Sequence, residues 1–363
     1  MGCRTTRLRG PSQPSGLTAG WRLAGWRPRT THSAGEAALA RPPDLAHIGA
    51  VSQDPLRLFD PHRARARRAR AAAGLGAADF LARRAAADLA ERLDAVTRTF
   101  PRALDLAARG AVLAEAIAAR PAVQARIGWL AACDSVAASL PGGPAARFVA
   151  DIEAPPLAPE SIDLILSVLA LHWVNDLPGL FVQARRALRP DGLFLAAFLG
   201  GATLMELRQS LLAAEAEICG GAAMRVSPFA DLSDAAALLQ RAGFALPVAD
   251  CDVVTARYDH LFALVRDLRA MGETAAFAER APPLRRAVML RAAEIYAQRF
   301  SDPDGRIRAT FEIVTVTGWA PHESQQKPLR PGSARARLAT ALGVQEQAAG
   351  DKAAGQRRGS TDA

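Results

Sequence analysis

Residues 162–169, Ile-Asp-Leu-Ile-Leu-Ser-Val-Leu, constrain this chain more than any other stretch. A strand with one wet face alternates apolar and polar residues. This one is apolar nearly throughout, as a strand covered on both faces must be. It ends abruptly in Ala170-Leu171-His172-Trp173-Val174-Asn175-Asp176. In an open α/β sheet, ligands bind in the crevice at the carboxyl ends of the strands, so this polar and aromatic stop marks a candidate site.

The flanking sequence repeats the theme. Asp176 is a good N-cap for a helix striped by Leu177, Leu180, Phe181, Ala184 and Leu188. Arg189-Pro190-Asp191-Gly192 reads as a turn into a strand from Leu193 to Phe198. Upstream, Arg102 to Leu106 reads as a first strand, and Val112 to Arg120 as a helix stopped by Pro121. Ile127 to Ala131 is a weak second strand. Arg147 to Ala150 is a third, after the Pro141-Gly142-Gly143-Pro144 turn. Strands alternating with helices predict parallel pairing with helices on both faces. The predicted class is α/β, a doubly wound, mostly parallel sheet with α-helical additions.

Further along, helices are expected at Leu204 to Cys219, Leu232 to Ala242, Leu261 to Gly272 and Leu284 to Arg299. Val248 to Tyr258 is strand-like, and the β-branched run Phe311 to Thr317 suits an edge strand. Arg57 to Leu93 reads as helical. The domain is expected over 54–330, with its core at about 100–200 and a helical, substrate-facing part at about 201–310. Residues 331–363 are dominated by Ala, Gly, Gln and charges and read as a disordered tail.

A formal charge of +9 looks like a nucleic-acid signal until it is located. Residues 1–50 carry seven Arg against Glu36 and Asp44, and residues 57–70 carry six Arg against Asp60. Residues 324–363 carry seven Lys or Arg against three acids, which, with Asp54 counted outside these segments, leaves −4 for residues 71–323. A general nucleic-acid binder places its charge on the folded surface, so that class is set aside. Arg63, Arg67 and Arg70 share one helical face. Such a stripe is either a solvated face or a patch for a partner or an anionic membrane surface. Cys3, Cys133, Cys219 and Cys251 form no CxxC pair, so neither a zinc site nor a disulfide framework is expected. No apolar run reaches the roughly 18 residues of a spanning helix. Residues 1–53 have no apolar stripe, and the first acid is Glu36. The segment reads as a disordered or misassigned extension, or as an organellar transit peptide by composition.

Candidate site residues lie where the strands end. His172 is either a base or substrate-orienting imidazole, or half of a structural pair with Trp173. Asp151 follows the third strand and is otherwise a turn acid. Asp105 ends the first strand, and Asp134 is the acid nearest the end of the second, able to serve only if its loop is displaced.

The stretch Ala103-Leu104-Asp105-Leu106-Ala107-Ala108-Arg109-Gly110-Ala111 resembles the cofactor loop of class I S-adenosylmethionine-dependent methyltransferases. The run 167–178 is similar to two groups: the methyltransferase-like assembly factors of respiratory complex I, and the biotin-pathway malonyl-carrier-protein methyltransferases. Gly200 to Arg208, Met271-Gly272-Glu273, Ala309-Thr310-Phe311, Gly318 to Pro328 and Gly332-Ser333-Ala334 resemble the first group, which includes an arginine hydroxylase. The resemblance implies a Rossmann-like methyltransferase fold and S-adenosylmethionine as cofactor, held at Asp105, Ala107, Gly110 and Asp151, with His172 in the catalytic role. It also implies a complex I subunit as protein substrate, acted on by hydroxylation or methylation. Location follows the source: cytoplasmic, with possible peripheral membrane contact, in a bacterium, or the mitochondrial matrix in a eukaryote. Two other readings are a methyltransferase for a carrier-bound or small acid, and a non-catalytic binding protein. No metal is expected. Ala107, Arg109 and Ala111 stand where that loop commonly carries glycine, so cofactor binding is expected to be weakened.

Overall fold

The structure is a computed structural model that describes residues 57–74, 76, 78–142, 146–326, 340 and 342–343. Expectations for 1–53, for the tail, and for the motif residues Pro328 and 332–334 lie outside the described residues. The order of elements is α1 (Pro61–Ala72), α2 (Phe80–Asp94), β1 (Phe100–Leu106), α3 (Val112–Ala118), α4 (Pro121–Arg126), β2 (Ile127–Asp134) and β3 (Arg147–Val149). Next come β4 (Ile162–Val168), α5 (Leu177–Ala187), β5 (Leu188–Leu199), α6 (Met205–Cys219) and α7 (Leu232–Arg241). The chain continues through β6 (Ala245–Tyr258), α8 (Leu261–Met271), α9 (Arg286–Phe300) and β7 (Ile307–Trp319).

One seven-stranded sheet runs β3-β2-β1-β4-β5-β7-β6. The first five strands in that order are parallel, and β7 is antiparallel to both β5 and β6. Strand order reverses between β1 and β4, which sets the crevice of a doubly wound sheet above those two strands. The period of two is visible in the packing. Leu164, Leu166, Leu193 and Leu195 face α2, α6, α8 and α9, whereas Ile165, Phe194 and Phe198 face α5 and α7. Each fully buried large side chain of this kind contributes roughly 1.5–3 kcal/mol relative to leaving it exposed.

Several boundaries differ from the sequence reading. The β-branched run is not an edge strand: β7 pairs on both sides, and β6 forms the edge. Its own sequence gives the reason, since Ile313, Val314, Thr315 and Val316 are all buried and need cover from both faces. The 189–192 turn is absorbed into β5 as an irregularity in its pairing with β4. Asp191 there sits at φ 65 and accepts from Gln325. The 57–93 stretch is two helices rather than one. Asp60 caps α1 by accepting from the N–H groups of His62 and Arg63, with Pro61 fixing the first turn. No helix among the described residues is long and apolar enough to cross a membrane.

Candidate active site

The loop after β1 starts with Ala107 at φ 63 and continues through Gly110 at the same φ. The first is the strained position, because a Cβ in the left-handed region costs roughly 1–2 kcal/mol and glycine has none. Ala111, by contrast, sits at φ −92, where alanine is at ease. The loop's N–H groups are tied inward, Ala108 donating to the Cys133 carbonyl and Gly110 to that of Ser139. Ala107→Gly is therefore expected to hold or raise the melting temperature by a degree or two, while Ala111→Gly lowers it. Thermal melts in which the two variants move together would refute this reading of the loop.

At the same end of the sheet, β2 runs on to Asp134, beyond the expected end at Ala131. The acid stands at the strand terminus with no displaced loop, which corrects the sequence reading. One of its oxygens accepts from the Val136 N–H at 2.6 Å, and the other takes the Arg68 guanidinium at 2.5 Å. Arg68 descends from α1 and also donates to the Ala107 and Ala108 carbonyls, at 3.3 Å each. Burial pushes the Asp134 carboxyl upward and Arg68 downward, and each is drawn back by the other. The space left between Arg68, Arg109 and Ser139 is about 10 Å³. That is room for about one water.

Asp105 faces the same pair. Its Oδ1 is buried without a partner among the described residues, and burial, reinforced by the neighbouring Asp134 charge, lifts its carboxyl to about 8. It is thus protonated at neutral pH. The folded chain then keeps a proton that the unfolded chain, with its ordinary value of 3.8, releases. Stability from this group is complete below about pH 4 and is lost as pH rises toward 8, with a slope of up to about 1.4 kcal/mol per pH unit. Asp105→Asn should flatten the fall of melting temperature between pH 5 and 8. Parallel curves for the two proteins would refute it.

The second cluster is built on Glu273. Gly272, at φ +77, ends α8 in the left-handed conformation, and Glu273 N–H then bonds back to the Leu268 carbonyl. That turn aims the carboxylate at the end of β4. One oxygen pairs with Arg109, and both side chains are only 6% exposed. The other accepts from the Trp173 indole N–H at 2.8 Å and lies 2.8 Å from His172 Nε2. Burial alone raises the Glu273 carboxyl, but Arg109 and His172 outweigh it and hold the group well below the usual carboxylate range. Burial also depresses His172, so its ring is neutral. The Leu199 N–H points at His172 Nδ1 at 3.4 Å. That contact leaves Nε2 as the donor to the ionised Glu273. Both ring nitrogens are engaged.

Asp151 stands two residues beyond β3, its side chain 52% exposed and paired with Arg65 of α1 at 3.1 Å. Its other oxygen accepts from the Glu153 N–H, as a turn acid would. Asp105, Asp151 and His172 thus share the carboxyl end of one sheet, spread over three strand spacings, about 14 Å. Sequence reasoning passed over Arg68, Arg109 and Glu273 as site residues. Only the Met271-Gly272-Glu273 motif hinted at the last. Arg63 and Arg67 of the basic stripe turn inward, donating to the Phe277 and Thr274 carbonyls. Trp173 and Glu273 open onto a cavity of about 660 Å³, well within the range of ligand sites.

The Asp105 and Asp134 carboxyl groups at the ends of β1 and β2, one neutral with an oxygen unpartnered among the described residues and one charged, fit the cationic, hydroxyl-bearing S-adenosylmethionine in chemistry. The Arg68 guanidinium fills the place it would take.

Comparison with known proteins agrees with this arrangement. A methyltransferase domain model matches residues 129–196, from within β2 to within β5. The mitochondrial arginine-hydroxylase NDUFAF5 of Danio rerio is 38% identical over 261 residues, covering 72% of this chain and 81% of its own length. Its Homo sapiens counterpart is 38% identical over 259 residues, covering 70% and 74%. A malonyl-[acyl-carrier protein] O-methyltransferase from Xylella fastidiosa (strain M23) is 36% identical over 178 residues, covering 49% and 58%.

Proposed function

The chain belongs to the arginine-hydroxylase NDUFAF5 family, and on that premise we propose that it modifies an arginine side chain of a respiratory complex I subunit, as an assembly factor. One observation carries the reading. Glu273 is a buried, ionised carboxylate already shaped around a guanidinium, that of Arg109, and it lies beside the Trp173 ring on the wall of the large cavity. A carboxylate accepts the planar guanidinium fork, and an aromatic face attracts the cation. A substrate arginine entering the cavity meets both groups.

S-adenosylmethionine belongs, in this reading, at the carboxyl ends of β1 and β2. It supplies the family's cofactor chemistry when bound. Asp134 would hold its hydroxyls, and Asp105, Ala107, Gly110 and Asp151 would complete the set of residues that bind it. His172 is a positioning residue. Its Nε2–H fixes the Glu273 carboxylate, and the Leu199 N–H fixes its own tautomer. Hydroxylation, the reaction in the relatives' name, is the modification proposed: one atom of dioxygen enters a C–H bond of the arginine, and the other leaves as water with two electrons and two protons from an external reductant.

Deleting the gene in its own host, with mass mapping of arginines across the complex I subunits, tests this. Loss of an oxygen-mass increment from one arginine, restored by the wild-type gene, is the expected outcome, together with less assembled complex I. An unchanged arginine inventory with a new biotin requirement overturns it in favour of a carrier-protein methyltransferase.

A further inference from the structure

The large cavity carries more charge than the arginine site uses. Its walls are apolar, from Leu204 just before α6, Leu207 and Leu211 of α6, Phe229, and Val265 and Leu268 of α8. Arg67, Arg70 and Arg269 also line it. Among the described residues, none of these three forms an ion pair, whereas the cavity's Arg225 is tied to Glu215 and its Glu273 to Arg109. Burial, with repulsion from Arg70 and Arg63, holds Arg67 below its usual range. The cavity lining therefore carries three positive charges without a carboxylate in ion-pair contact among the described residues, one guanidinium nitrogen of Arg67 being held by the Thr274 carbonyl. A second observation points to a ligand here: Ser227 lines the same cavity, is 3% exposed, and among the described residues its hydroxyl has no hydrogen-bond partner.

A bare arginine side chain passing these charges is repelled by them. We infer that the cavity selects a protein segment in which the target arginine is flanked by acidic and apolar residues, the acids meeting Arg67, Arg70 and Arg269 and the apolar side chains lying along α6 and α8. This inference rests on the arginine reading above for its guanidinium end. The acid preference comes from the three charges alone. The charges are partly wet, so they act as a selectivity filter rather than as the main source of affinity.

Four fluorescein-labelled 15-residue peptides of one Leu-rich framework test it by anisotropy on the full-length protein. They carry a central Arg flanked by Asp, by Asn or by Lys, and a central Met flanked by Asp. The Asp-flanked arginine peptide should bind about tenfold tighter than the Asn form at low salt, with the gap closing as salt rises. The Lys form should bind least. Arg67→Glu/Arg269→Glu should invert the order of the Asp and Lys peptides. Arg269→Glu alone, at an exposed and unpaired position, should shift it the same way should the double variant fold poorly. Equal binding of the Asp and Asn peptides, or an order unmoved by charge reversal in a folded variant, overturns the inference. Undiminished binding of the Met peptide, with the acid preference intact, instead removes the arginine reading and leaves the acidic selectivity standing.

Discussion

Glu273→Ala is expected to cost about 3–5 kcal/mol of folding stability, the usual consequence of stripping one partner from a buried ion pair. Three groups lose their acceptor at once: the Arg109 guanidinium, the Trp173 indole N–H and His172 Nε2–H. Arg109 has little recourse, since it is 7% exposed and its Nε is already without a partner. The melting temperature should fall on the order of 10 °C. Arg109→Met should also destabilise, because it leaves Glu273 as the uncompensated charge. The double variant should cost clearly less than the two single costs combined, since no unpaired charge remains. A Glu273→Ala protein that melts within two degrees of wild type would show that the cluster contributes little to the fold. Additive single effects would show that the two residues are not coupled as described.

The sheet was legible because its strands carry their burial in their composition. β4 and β5 are apolar on both faces, and only a central strand tolerates that. The position of candidate residues at strand ends was legible where a strand's end coincides with a change of residue type, as at Asp105 and at His172. It was not legible where a side chain arrives from a distant element. Arg68 is one arginine among five in residues 63–70, and nothing in its local spacing distinguishes the one that turns inward. The chain just before α1 is held against the sheet by Phe59, which is pinned to Asn175 by two hydrogen bonds and packs edge-on against Trp173. Those contacts span more than a hundred residues of sequence. Glu273 is hidden for the same reason, since its orientation depends on the left-handed turn at Gly272 closing against Ala71 of α1. Period-based reading also misjudged β7, because a β-branched run is compatible with an edge and with an interior position alike. Pairing partners decide between them.

Removing the Arg68 side chain should have opposite effects on stability and on cofactor binding. Among the described residues its guanidinium is the cation paired with Asp134, and Asp105 lies beside the same pair. Arg68→Ala therefore leaves a buried carboxylate unpaired, which is expected to destabilise the fold by roughly 3 kcal/mol or more. The same change vacates the only space at the ends of β1 and β2 that the cofactor is proposed to occupy. On the proposed placement of S-adenosylmethionine, the fraction of molecules with Arg68 withdrawn would scale its apparent affinity, because the side chain would have to leave before binding. Without the side chain that penalty disappears, and the cationic ligand replaces the lost counter-charge. Calorimetry should then give an affinity at least about tenfold tighter than wild type. The rise in melting temperature on adding S-adenosylmethionine should likewise be larger in the variant than in wild type. Arg68→Lys, which keeps the charge but loses the fork that reaches both carbonyls, should fall between the two. Weaker binding by Arg68→Ala would mean that the guanidinium grips the cofactor rather than competing with it, and α1 would then be part of the binding site instead of its cover.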